Sequence, residues 1–173
     1  MEDPLVRYQA TVEKLHYLNY VVVEVPPAIL EQLPDNNGKG GLSQRLIIRV
    51  DERVQWQCGL MAKGEGSAYI TIHAGRLKEL GKEVGDDVSI ELFPDDSEFG
   101  VEVAEEILAF WEQEPESYRR FMLLIPSVQR YMLTHVLAVK SPEKRAERTV
   151  LLLGNLLRSR EGTETFRELL GKS

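Results

Sequence analysis

RLIIRVDERVQWQCGL, residues 45–60, decides the fold class. Leu46, Ile48 and Val50 fall on one face of an extended chain. Val54, Trp56, Cys58 and Leu60 do the same after the polar turn Asp51-Glu52-Arg53. A period of two marks strands with one buried face, and two such runs joined by a short polar turn make a hairpin. Upstream, Tyr8, Ala10 and Val12 alternate in the same way, and Tyr20–Val25 is apolar and β-branched enough to be covered on both faces. Pro26-Pro27 ends that strand, and the turn Ala28–Leu33 runs helically until Pro34. Downstream come Ala68, Ile70 and Ile72, a short helical piece Leu77–Leu80, a turn at Gly85-Asp86, and Val88, Ile90 and Leu92. Six short strands within residues 1–95 predict a closed or nearly closed β-barrel, because closure removes edges that would pair with other chains.

The pattern changes after the acidic, proline- and glycine-bearing stretch PDDSEFG (94–100), and residues 96–101 are expected to be a linker. From Glu102 the apolar residues recur at helical spacing. Val103, Ile107 and Phe110-Trp111 form a first face. Pro115 opens a second helix (Tyr118, Phe121, Met122, Ile125) and Pro126 a third (Val128, Tyr131, Met132, Val136, Val139). Ser141-Pro142-Glu143 starts a fourth, with a capping hydroxyl, a proline at the first helical position and an acid near the positive end of the dipole. It carries Val150, Leu153, Leu156 and Leu157, and Thr163 is placed to cap a last short helix. The expectation is an α+β protein: a six-stranded barrel over 1–95, then a bundle of four to five short helices over 102–173.

Composition sets the class. The chain has 173 residues, 43% of them hydrophobic and 28% charged, which suits a globular protein with a core. One cysteine, Cys58, allows no internal disulfide, and Met1-Glu2-Asp3-Pro4 lacks the basic and apolar stretches of a signal peptide. The apolar runs are far too short to span a bilayer. A cytoplasmic protein with no membrane insertion is expected. The net charge of −7 divides unevenly: residues 1–114 hold 10 Lys and Arg against 22 Asp and Glu, and residues 115–160 hold 9 against 3. An acidic front and a basic back count against a general nucleic-acid binder but leave a cationic patch to explain.

Two stretches resemble a known family. Ala68-Tyr-Ile-Thr-Ile, a short helix, and then Glu83-Val-Gly-Asp-Asp-Val-Ser-Ile-Glu-Leu are similar to the barrel domain of unknown function that often precedes the bacterial YdeI/OmpD-associated family. Val25-Pro26-Pro27 and the following glycine-rich loop match it in order. The tail Ala138-Val-Lys140-Ser-Pro142-Glu143-Lys-Arg145-Ala-Glu-Arg148 resembles that family's own signature, with Lys144 where threonine is usual, Val139 where alanine is common and His135 where tryptophan is frequent. A lysine usually found after the fifth strand is absent, with Ala74 near that point. The resemblance implies a double-split barrel related to AbrB-type folds with a helical appendage, and a setting in envelope stress or bacteriocin protection. It brings no established activity.

The residues themselves supply no catalytic constellation. Cys58 shares the inward face of its strand, where an apolar setting raises a thiol's pKa and makes it inert. His16, His73 and His135 stand apart from each other and from any acid at ligand spacing, so neither a metal nor a cofactor is expected. Asn36-Asn37-Gly38-Lys39-Gly40-Gly41-Leu42-Ser43 lacks the spacing of a phosphate loop and precedes a strand, so it is a flexible connection. The remaining candidates are Lys140, Lys144, Arg145 and Arg148, one cationic stripe if the helix reaches Lys140. The leading expectation is a non-enzymatic binding or interaction module, its partner a small molecule or an acidic protein. The alternatives are an enzyme acting on a small ligand between barrel and helices, and a nucleic-acid-associated protein using the basic tail.

Overall fold

The two periodicities separate into two units, Met1–Asp96 and Ser97–Ser173. A computed structural model describes residues 3–16, 19–34, 42 and 44–172; most of the glycine-rich loop lies outside them. The first unit contains β1 (Val6–Thr11), β2 (Glu13–Lys14), β3 (Val21–Val25), α1 (Pro27–Leu30), β4 (Arg45–Val50), β5 (Val54–Gly59), β6 (Met61–Gly64), β7 (Ser67–Thr71), α2 (Ala74–Leu80) and β8 (Asp87–Pro94). The second contains α3 (Glu105–Gln113), α4 (Pro115–Met122), α5 (Pro126–Leu137), α6 (Pro142–Arg158) and α7 (Phe166–Leu169).

The expected six-stranded barrel is not what forms. The strands make two antiparallel four-stranded sheets, ordered β1-β8-β4-β5 and β2-β3-β7-β6, and among the described residues no ladder closes them into a barrel. The difference arises at two corners. A single residue separates β1 from β2 (Val12) and β5 from β6 (Leu60), and at each the chain leaves one sheet and enters the other. Both corner residues are buried, so the hydropathy pattern runs through them as though one strand continued.

The hairpin at residues 45–60 is present, with Ile48 opposite Trp56 and Leu46 opposite Cys58. These four side chains pack with Val23, Val25, Ala68 and Ile70 of the second sheet, and with Ile90 and Leu92 of β8, in one core. Trp56 and Cys58 thus face the interior, as their alternation predicts, and Arg76 of α2 lies 4.6 Å from the Trp56 ring centroid. Val22 on the opposite face of β3 is also buried, against Leu15 and Tyr69. On the outer face of the first sheet, Glu91 of β8 lies between Arg7 of β1 and Arg49 of β4, at 3.0 and 2.7 Å.

In the second unit α4, α5 and α6 each open on a proline, whose missing N–H would be unpaired at that position anyway. Ser141 caps α6, its hydroxyl accepting from the Lys144 N–H. The last helix is capped by Thr165 rather than Thr163, through the Glu168 N–H. The core joins Ile107, Trp111, Phe121, Met132, Leu133, Leu152, Leu153 and Leu156. The segment expected to be a linker contributes to it: Phe99 meets Phe121 edge-on at 5.4 Å. Several apolar positions assigned to inward faces point outward, among them Tyr118, Met122, Ile125, Tyr131 and Val150. Polar residues take buried places in this unit by satisfying backbone groups, as Gln129 does with the Phe121 carbonyl and Thr149 with that of Arg145. Arg120 and Glu164, each with its side chain 8% exposed, pair at 2.8 Å. Among the described residues no helix is long and apolar enough to cross a membrane.

Candidate functional site

The first unit carries an open cleft of about 500 Å³ lined by Tyr8, Gln9, Ala10, Thr11, Glu13, Glu24, Pro26 and Asp87. Its origin is the corner at Val12. Beyond it, β2 pairs with β3 for two residues only, Glu13 with Val22 and Lys14 with Val21. Before it, β1 turns to β8 while β3 continues beside β7. The two strands part like a fork, and the Tyr8 hydroxyl reaches across to donate to the Glu24 carbonyl at 2.9 Å. Burial, reinforced by Cys58 and Glu24 nearby, pushes the Tyr8 phenol well above its usual range. It therefore stays protonated, and neutral, across physiological pH.

Three carboxylates line this fork. Glu13 and Glu24 hold the Lys63 ammonium between them, at 2.5 and 3.3 Å. Hydrogen bonding to Glu13 first, and then to Glu24, raises the Lys63 pKa and keeps it charged. Asp87 accepts from the Thr11 hydroxyl at 2.8 Å. With the Lys63 ammonium between two of these carboxylates and that of Lys82 donating to the Asp87 carbonyl at 3.3 Å, three acids against two ammoniums leave the cleft net anionic, which suits a cation with hydrogen-bonding capacity.

The basic residues singled out from the sequence divide into two kinds. Lys140 precedes the Ser141 cap and lies outside α6, so the helix does not reach it, which is the condition on which a single stripe depended. Lys140 and Lys144 are exposed. Arg145 donates to the Val139 carbonyl and Arg148 to the His135 carbonyl, each at 2.7 Å. His135 lies in the last turn of α5, where carbonyls have no helical partner and carry the negative end of the dipole, so Arg148 completes that helix end and Arg145 the turn that follows it. His135 itself is half-buried, edge-on to Phe166. Burial first, and then Arg148 and Lys172, hold its pKa below the ordinary histidine value.

Cys58 is buried and its thiol is pushed up to about 12, chiefly by desolvation. A thiol this far above neutrality is a packing group, not a nucleophile. Among the described residues no group of three or more His, Cys, Asp and Glu is arranged to hold a metal ion.

The cleft was not legible from local patterns, because Tyr8, Glu24 and Asp87 belong to three different strands that only the sheet pairing brings together. One local signal exists: apolar Val12 followed at once by charged Glu13 and Lys14, where a strand of ordinary length would continue. No curated protein matches the chain. Residues 8–92 match the family described as a domain of unknown function, DUF1905, a span that runs from Tyr8 through Asp87 and takes in the whole lining of the cleft. A DUF1905 domain is thus present over residues 8–92, just under half of the chain.

Proposed function

We propose that the chain is a non-enzymatic binding or interaction module whose DUF1905 unit takes a cationic ligand in the fork between β1 and β3. The observation that carries this reading is the convergence of Glu13, Glu24 and Asp87 on one open cleft. The setting in bacterial stress or bacteriocin protection, and the assignment of the helical tail to the YdeI/OmpD-associated family, belong to the proposal on the strength of the motif resemblance. The relation to AbrB-type double-split barrels is supported by the two corners, Val12 and Leu60, at which strands pass between sheets. The nucleic-acid alternative draws on the same tail residues, two of which are already bonded to backbone carbonyls. That leaves Lys140 and Lys144 for a mode of binding that needs several phosphate contacts.

The test is a thermal-shift panel on the full chain with organic amines, neutral amides and organic anions. A ligand that binds only the folded state raises the melting temperature as its concentration passes its Kd. Amines are expected to raise it, and the double variant Glu24→Gln, Asp87→Asn to lose most of the shift. A response confined to anions, or none from any class, overturns the reading.

A further inference from the structure

The cleft is bounded by backbone as well as by carboxylates. β1 is the outer strand of its sheet, and its register with β8 runs without interruption from Val6 to Thr11. The Val12 N–H donates to the Asp86 carbonyl, in the same register. In an antiparallel ladder alternate residues turn their N–H and C=O toward the neighbour and the rest turn them away. Val6, Tyr8, Ala10 and Val12 therefore serve β8, and Arg7, Gln9 and Thr11 present their main-chain groups to the other side. On that side, the described residues place no strand against β1. The same argument applies across the fork. The Ile72 N–H donates to the Val21 carbonyl, so the odd residues of β3 serve β7 and Glu24 turns its main chain toward the cleft. The Glu24 carbonyl accepts from the Tyr8 hydroxyl, and β1 keeps its own outward groups.

Exposed edges of this kind are usually blunted by proline, lysine or a bulge. Val6–Thr11 contains no proline or lysine, and its one arginine side chain is held by Glu91 on the face of the sheet. An extended peptide laid along such an edge gains a row of main-chain hydrogen bonds, and its alternate side chains enter whatever pockets flank the edge. Here the flanks are Glu13, Glu24 and Asp87.

We infer that the fork is a strand-addition site: an extended segment bearing lysine or arginine pairs with the outer edge of β1 and sets its cationic side chains against those carboxylates. This rests on the reading of the cleft as a cation site and names the class of partner.

The probe is a short, end-blocked peptide alternating lysine with valine, titrated into the full chain by calorimetry beside free lysine amide. The peptide is expected to bind more tightly than lysine amide. Two further peptides carry N-methyl groups on alternate sets of residues. Only one set faces β1, so one peptide should lose about tenfold or more and the other keep most of its affinity. Gln9→Pro removes an outward N–H while leaving the ladder to β8 intact, which an edge strand tolerates, and should cost a similar factor. Should that variant fail to fold, the methylated pair decides the matter alone. Glu24→Gln should weaken binding by roughly threefold, more at low salt than at high.

Equal loss, or no loss, from the two methylated peptides refutes strand addition. Lysine amide binding as tightly as the peptide also refutes it but leaves the cation site standing. Binding by neither probe removes both. A chain that is dimeric alone, and becomes monomeric on Gln9→Pro, assigns the edge to a second copy and overturns the peptide proposal.

Discussion

Glu91 shows how far a single residue's environment can be carried toward a measurement. It is buried, with side chains of opposite charge on both neighbouring strands, and Arg7 and Arg49 keep access to water. Desolvation would raise its pKa, but the hydrogen bonds from Arg49 and Arg7 outweigh it, and the carboxyl is held below the usual range. A depressed folded pKa means stability that is complete above the unfolded value, roughly 4.3, and lost as pH falls through the folded one. Glu91→Gln is therefore expected to cost about 1–3 kcal/mol near neutrality, and the gap to the parent should close in urea titrations below about pH 4. A gap that persists in acid would assign the loss to packing. Trp56 makes a larger demand on its surroundings, being packed among both sheets with Arg76 over its ring. Trp56→Ala should cost about 3–5 kcal/mol in the same measurement, and a loss under about 1 kcal/mol would place the ring in solvent. The inward placement of Trp56 and Cys58 was legible because a strand's period of two assigns a face without reference to the rest of the fold. The roles of Arg145 and Arg148 were not, since they depend on where the preceding helix ends.

Elements were legible where their limits are set locally. Proline constrains its own φ and lacks a donor, so Pro115, Pro126 and Pro142 could be placed as helix starts from the sequence alone. The strand limit at Leu60 could not, because an apolar residue at a corner keeps the alternation in phase, and at Val12 the only local sign is the charged pair Glu13-Lys14 that follows. Helix faces failed for a related reason. α4 spans only Pro115–Met122, and such a short helix offers too few apolar positions to fix a face when Ser117 and Arg120 are buried through hydrogen bonds and Tyr118 and Met122 are not. The division of the basic residues gives an element-scale prediction. Arg148→Gln removes the donor to the last turn of α5 and should lower stability by about 1 kcal/mol. Lys144→Gln touches no such group and should stay within about 0.5 kcal/mol of the parent. Equal losses in urea unfolding would show that the cations act as one unit after all.

At the scale of the whole chain, the distribution of core residues between the two units bears on how they unfold. The buried members of the first core lie between Val6 and Leu92, and those of the second between Ala104 and Leu169, with Phe99, Val101 and Leu170 packed at its margin. Among the described residues each core is drawn from its own unit, and a core of its own is what a domain needs in order to fold alone. The anionic cleft, by contrast, was invisible at this scale, because a front-to-back charge count averages Glu13, Glu24 and Asp87 with every other acid. Two self-contained cores predict two transitions in the unfolding of the full chain whenever their stabilities differ, and a single substitution should move one alone. Trp56→Ala supplies the shift for the first unit. Leu153→Ala, at a fully buried position in α6, supplies one of about 2–5 kcal/mol for the second. Near-ultraviolet circular dichroism can follow both, since Trp56 and Trp111 report from different cores. Each variant is expected to bring forward its own transition in urea and leave the other midpoint in place. A fragment of residues 1–96 should then unfold cooperatively, with an m-value roughly half that of the whole chain, since m scales with the surface exposed. Either substitution moving both midpoints together, or a 1–96 fragment without a cooperative transition, would show that the DUF1905 unit depends on its helical tail for its fold.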